Sequence, residues 1–139
     1  MFKRAVSVFL VTVISLIFFV GCSSASNKSK KFDAGDFVYE CRILVPSSQY
    51  DETKLKNFEI DFIRAVFQKF GESDYYKNMT NEEREAAIND IAKVLQTFSY
   101  GKAATGFIDG YTIDMKNHRI NCQLKNFEGS ETMVRLPEN

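Results

Sequence analysis

The hydrophobic period of this chain changes near Gly101, and that change limits the folds open to it. Before it, Leu55, Phe58, Phe62, Ile63, Val66, Phe67 and Phe70 recur at three- and four-residue spacings, which predicts an amphipathic helix from about Asp51 to Phe70 with Gly71 after its end. Thr80-Asn81-Glu82-Glu83 reads as a capping box, in which the Thr oxygen accepts from the amide three residues on and the Glu reaches back to the Thr amide. Behind it Ile88, Ile91, Ala92, Leu95 and Phe98 form the stripe of a second helix running to about Ser99. Glu82, Glu83 and Glu85 suit the positive end of its dipole.

Beyond Gly101 the period becomes two. Phe107, Tyr111, Ile113 and Met115 share one side of a strand expected from Ala104 to Met115, with Gly110 as a possible bulge. Lys116-Asn117-His118 reads as a hairpin turn, Ile120, Cys122 and Leu124 line one face of the next strand, and a last strand is expected from Thr132 to Leu136. Upstream of the helices, Phe37, Tyr39, Cys41, Ile43 and Val45 alternate with Val38, Glu40, Arg42 and Leu44, which predicts a strand over 36–45 that Pro46 ends. The expected fold is α+β, in the order β-α-α-β-β-β: an antiparallel sheet of about four strands with a helix pair packed on one face. One domain, residues 36–139, holds all of it.

The N-terminus has a different character. Met1-Phe2-Lys3-Arg4 carries two fixed positive charges, and Ala5 to Gly21 follow without a single charge. As a helix those residues would span only ~25 Å, short of the ~30 Å hydrocarbon core, which fits a cleaved signal peptide better than a permanent span. Phe19-Val20-Gly21 is followed at once by Cys22, then by Ser23-Ser24-Ala25-Ser26-Asn27-Lys28-Ser29-Lys30-Lys31. This stretch resembles the lipobox of bacterial lipoproteins, with Phe19 where Leu is usual. The resemblance implies that residues 1–21 are the signal peptide, that Cys22 receives a diacylglycerol and becomes the first residue of the mature chain, and that the protein is palmitate-modified and anchored to an envelope membrane outside the cytoplasm. The plainer alternative is an ordinary signal peptide cut after Ser23-Ser24-Ala25. A third is an uncleaved signal anchor. Residues 22–35 read as a tether whose spacer, Ser23 to Lys31, measures about 15–18 Å as a coil, and Lys28, Lys30 and Lys31 add weak attraction for anionic headgroups.

Loss of Lys3 and Arg4 with the leader leaves 16 basic and 18 acidic side chains, a net charge near −2 with no basic cluster, which sets nucleic-acid binding aside. With Cys22 acylated, Cys41 and Cys122 remain as an even pair. Two readings stand for them: a structural disulfide between core-facing strands, closing a loop of roughly 80 residues, or two buried reduced thiols. Neither is a redox site, since the Cys-x-x-Cys spacing is missing.

Chemistry-bearing motifs are few. One His and two remaining Cys make a poor zinc set, so no metal and no cofactor is expected. Gly101-Lys102-Ala103-Ala104-Thr105-Gly106 has phosphate-loop residues in the wrong order, and no Gly-x-Ser-x-Gly elbow exists to place a nucleophile for His118. Glu82 and Glu83 point about 100° apart on a helix and do not make a catalytic pair. Asp109 is the one polar residue out of place on its strand face: it is either a buried carboxyl or ligand contact, or a residue that a bulge at Gly110 turns to solvent. Tyr50, Tyr75, Tyr76 and Tyr100 fall in loops or at helix ends and could form a recognition patch; Tyr75, Tyr76 and Tyr100, with Asp109 and Tyr111, are the candidate ligand-contacting residues. Equally, they cover the ends of the helix pair. The expectation is a non-enzymatic binding or assembly module of the envelope with a protein partner. The alternative is a small enzyme with a site around Asp109.

Overall fold

The computed structural model describes residues 31–45, 54–100 and 104–138; the leader, Cys22 and Tyr50 lie outside them. The compact unit begins at Phe32, whose ring meets Phe37, Phe70 and Tyr75 at centroid separations of 5.6, 5.3 and 5.2 Å, so the last residues read as tether belong to the domain. Asp33 is extended and accepts on Oδ1 from the Asp36 amide at 2.9 Å, which caps helix α1, Ala34–Glu40. A 3₁₀ turn, Cys41–Leu44, continues it.

This helix replaces the strand expected over 36–45. The same segment also carries a helical spacing, Ala34, Phe37, Val38 and Cys41, and the Asp33 cap gives that spacing its start. Val38, Cys41 and Val45 are buried, whereas Tyr39 and Ile43, which alternation would place inside, are 61% and 86% exposed. Val45 is extended ahead of Pro46, as the residue before a proline should be.

Helix α2, Leu55–Glu72, buries Phe58, Phe62, Ile63, Val66, Phe67 and Phe70. It runs through Gly71, which is therefore not its stop; a Cβ there would lie 2.7 Å from Pro137 Cδ, so the glycine makes room for the C-terminal segment. Ser73 ends the helix and starts a short one that the sequence reading lacks, α3, Asp74–Asn78, by accepting from the Tyr76 amide at 3.3 Å. Helix α4, Asn81–Thr97, opens with the expected capping box: Thr80 Oγ1 accepts from Glu83 N at 3.2 Å, and Glu83 Oε2 accepts from Thr80 N at 2.8 Å.

Two-residue strands β1, Ser99–Tyr100, and β2, Ala104–Thr105, pair with each other. The main sheet is an antiparallel meander of β3, Ile108–Asp114, β4, Arg119–Leu124, and β5, Glu131–Arg135. Tyr111 pairs with Cys122 and Cys122 with Thr132; Ile113 pairs with Ile120 and Ile120 with Val134. Those residues share the inner face, with α4 against β3 and α2 against β5. The opposite face holds Thr112, Asn121, Gln123, Glu131, Met133 and Arg135, all exposed. The hairpin turn lies where expected, with the Asn117 amide donating to Asp114 Oδ1 at 3.1 Å and His118 at φ 52°. The α+β class holds, but the main sheet has three strands and the chain enters through helix rather than strand. The centre of the core is aromatic: Phe62 lies 4.8 Å from Phe107 between ring centroids, and Phe58 lies 4.9 Å from Tyr100.

Candidate functional site

Two surface features gather chemistry-bearing residues. The first is the corner where α1 meets the 3₁₀ turn. Helix geometry sets Tyr39 and Ile43 four residues apart on the outside, and with Leu44, 45% exposed, they form the largest group of exposed apolar side chains among the described residues. The Arg42 guanidinium lies 4.9 Å from the Tyr39 ring centroid and 5.2 Å from that of Tyr100. Arg42 Nε is buried and has no hydrogen-bond partner among the described residues. Tyr100 holds the corner in place: its hydroxyl is 2.7 Å from the carbonyl oxygens of both Arg42 and Val45. Tyr39, Glu40, Arg42, Ile43 and Tyr100 line a shallow, open concavity of about 690 Å³ there.

The second is a cleft of about 510 Å³ at the end of the main sheet, where Asp109, Gln123, Lys125, Glu128, Ser130 and Glu131 bring together mainly polar groups. The β3–β4 register shifts between Ile108 and Gly110, so the bulged residue is Asp109 itself, and its side chain is exposed. Its carbonyl accepts from Gln96 Nε2 at 3.2 Å. At the same end Gly129 supplies a left-handed turn at φ 73°, with open space around it.

The tyrosines singled out in the sequence do not converge on Asp109. Tyr111 lies on the inner face and donates to Asn89 Oδ1 at 2.8 Å. Tyr76 is fully buried, its hydroxyl donating to the Pro137 carbonyl at 3.3 Å and its ring 4.1 Å from the Arg84 guanidinium carbon. Burial raises its phenol pKa, and Arg84 partly offsets that. Arg84 is satisfied by the Tyr76 carbonyl at 2.9 Å and by Asn81 Oδ1 at 3.3 Å. Tyr75 packs edge-on against Phe32. Cys41 and Cys122 are separate, buried thiols rather than a bridge, and Cys41 sits at the end of a helix, not on a strand beside Cys122. Burial pushes Cys122 up to about 12 and Cys41 up to about 11, Lys69 lowering and Glu40 raising the latter, so neither is a thiolate at neutral pH. His118 Nδ1 is buried without a hydrogen-bond partner among the described residues, while the His118 carbonyl accepts from the Leu136 amide at 2.6 Å.

One buried ionisable group was not singled out in the sequence. Glu59 is fully buried on α2, with Oε1 accepting from Asn126 Nδ2 at 2.5 Å and Oε2 without a partner among the described residues. Burial holds its carboxyl above the ordinary range, and the Asn126 hydrogen bond offsets part of that. The signal for it is present: Phe58-Glu59, Phe62-Ile63 and Val66-Phe67 repeat every four residues, and Glu59 occupies a place the pattern reserves for an apolar side chain. Ile43, four residues after Tyr39, is equally visible once the segment is read as helix.

Among the described residues no group of three or more His, Cys, Asp or Glu side chains is arranged to hold a metal ion, and no helix is long and apolar enough to cross a membrane. In comparisons with known proteins, no family model matches this chain, and no curated protein or solved structure matches it either.

Proposed function

We propose that this protein is a lipoprotein of the bacterial envelope, held at a membrane through an acylated Cys22, whose domain serves as a non-enzymatic binding or assembly module. The observation that carries the reading is the uncharged run Ala5–Gly21 behind Lys3 and Arg4, ending at Gly21-Cys22 and followed by nine residues without a large apolar side chain. An acyl chain fixes where such a molecule works and leaves the folded part to supply surface. The outer face of the main sheet supports the binding role: it offers Thr112, Asn121, Gln123, Glu131 and Arg135 to an envelope protein partner, with Met133 as the apolar contact among them.

Metabolic labelling with a palmitate analogue tests the anchor. Wild type is expected to take up label and Cys22→Ala to take up none, while equal labelling of the two would end the reading. The Asp109 cleft favours a second reading, a small anchored enzyme or ligand-binding protein, because a carboxylate, an amine and a hydroxyl line one concavity. Asp109→Asn and Lys125→Ala separate the two: a partner docked on the sheet face survives both, whereas a ligand bound in the cleft does not.

A further inference from the structure

We propose that the corner made by the end of α1 and the 3₁₀ turn docks onto the bilayer surface, with Tyr39, Ile43 and Leu44 entering the interfacial layer and Arg42 meeting lipid phosphate. The inference rests on the lipid-anchor reading of Cys22 and adds to it a second, side-chain-mediated contact.

Three observations single out the lipid surface as the occupant. Chain length comes first. Cys22 precedes Phe32 by ten residues, a stretch that reaches at most ~35 Å, and α1 carries the chain about another 10 Å from there to Glu40. An anchored domain therefore keeps this corner within about 45 Å of the anchored sulfur, and docking it requires no unfolding.

Chemistry comes second. An aromatic ring with a polar tip, two aliphatic side chains and an Arg are the residue types that settle at a membrane–water interface, where the apolar parts leave water and the charge stays at phosphate depth. Arg42 is preorganised for that depth: the Tyr39 and Tyr100 rings flank its guanidinium. Glu40 is the acidic group on the same corner, and Lys28, Lys30 and Lys31 upstream favour an anionic surface over it. Size comes third. Three exposed apolar side chains fall far short of the roughly 20–30 residues a side of a standard protein interface, yet they suffice for a contact that only has to orient a domain already tethered.

The chain contains no Trp, so a single introduced one reports alone. The lipidated Ile43→Trp protein is reconstituted into phosphatidylethanolamine–phosphatidylglycerol vesicles whose acyl chains are brominated near the headgroup, and its emission is compared with that in unbrominated vesicles. Glu128→Trp, at an exposed position of the cleft, serves as the reference. Docking predicts at least twofold quenching of Trp at position 43 and less than a fifth at position 128. Unquenched emission at 43 in protein that still floats with the vesicles overturns the docking and leaves the anchor standing. Equal quenching at both positions overturns it as well. Blue-shifted emission at 43 that bromine leaves untouched assigns the corner to a protein, a second copy included. Protein that neither floats nor carries lipid by mass removes the anchor, and the docking with it.

Discussion

A carboxyl with one oxygen accepting from Asn126 and the other without a hydrogen-bond partner among the described residues is held more easily as the acid than as the anion, because burial penalises the charge and a single amide donor compensates only part of it. The consequence for stability has a definite sign. Glu59 has a folded pKa above the ordinary carboxyl value of 4.5, so its contribution is most favourable below that value and is lost as pH rises towards the folded pKa. Glu59→Gln keeps an acceptor for Asn126 and removes the ionisation. The variant is expected to gain on wild type as pH rises above about 4.5. Urea midpoints measured across that range check it, and a difference independent of pH would contradict it. At this scale the sequence shows position and hides circumstance. Glu59 breaks a visible four-residue pattern, but its hydrogen-bond donor Asn126 lies 67 residues on and the orphaned oxygen is visible only in the packed core.

Elements were legible where their determinants are local. The α4 capping box lies within four consecutive residues, and the β4 alternation needs only the inward and outward faces of one strand, so both appear as read. The segment over 34–45 carries both periods, and what selects helix is the Asp33 cap together with packing of α1 against α4, which no short window contains. Gly71 is the same lesson from the other direction. Its position at the end of an apolar stripe resembles a helix stop, yet the structure gives it a steric role toward Pro137, far along the chain. The two roles differ in the sign of one substitution. If Gly71 were merely permissive, Gly71→Ala would gain up to about 1 kcal/mol in helix propensity. With Pro137 Cδ at 2.7 Å from the new methyl position, the variant is expected instead to lose about 1–3 kcal/mol in chemical denaturation.

At the scale of the molecule, the described helices cover one face of the three-stranded main sheet, the other face carries exposed side chains, and the folded unit starts ten residues after Cys22. The fold class was legible from the change of hydrophobic period, while strand count and chain entry were not, because a two-residue pair such as β1–β2 has no pattern to detect and α1 reads both ways. The candidate surfaces were legible only in part. Asp109 stood out as a polar residue on an apolar strand, and the bulge that exposes it was among the readings open to it. The Tyr39–Arg42–Ile43 corner was hidden by the strand reading that placed Tyr39 and Ile43 inside. What unites these features is the claim that a lipid on one sulfur holds the domain beside a membrane. Intact-mass spectrometry of the protein extracted from host membranes tests it most directly. The account predicts a chain that begins at Cys22 and is heavier than its polypeptide by a diacylglycerol or more; a chain of bare polypeptide mass, or one that begins at any other residue, would contradict it.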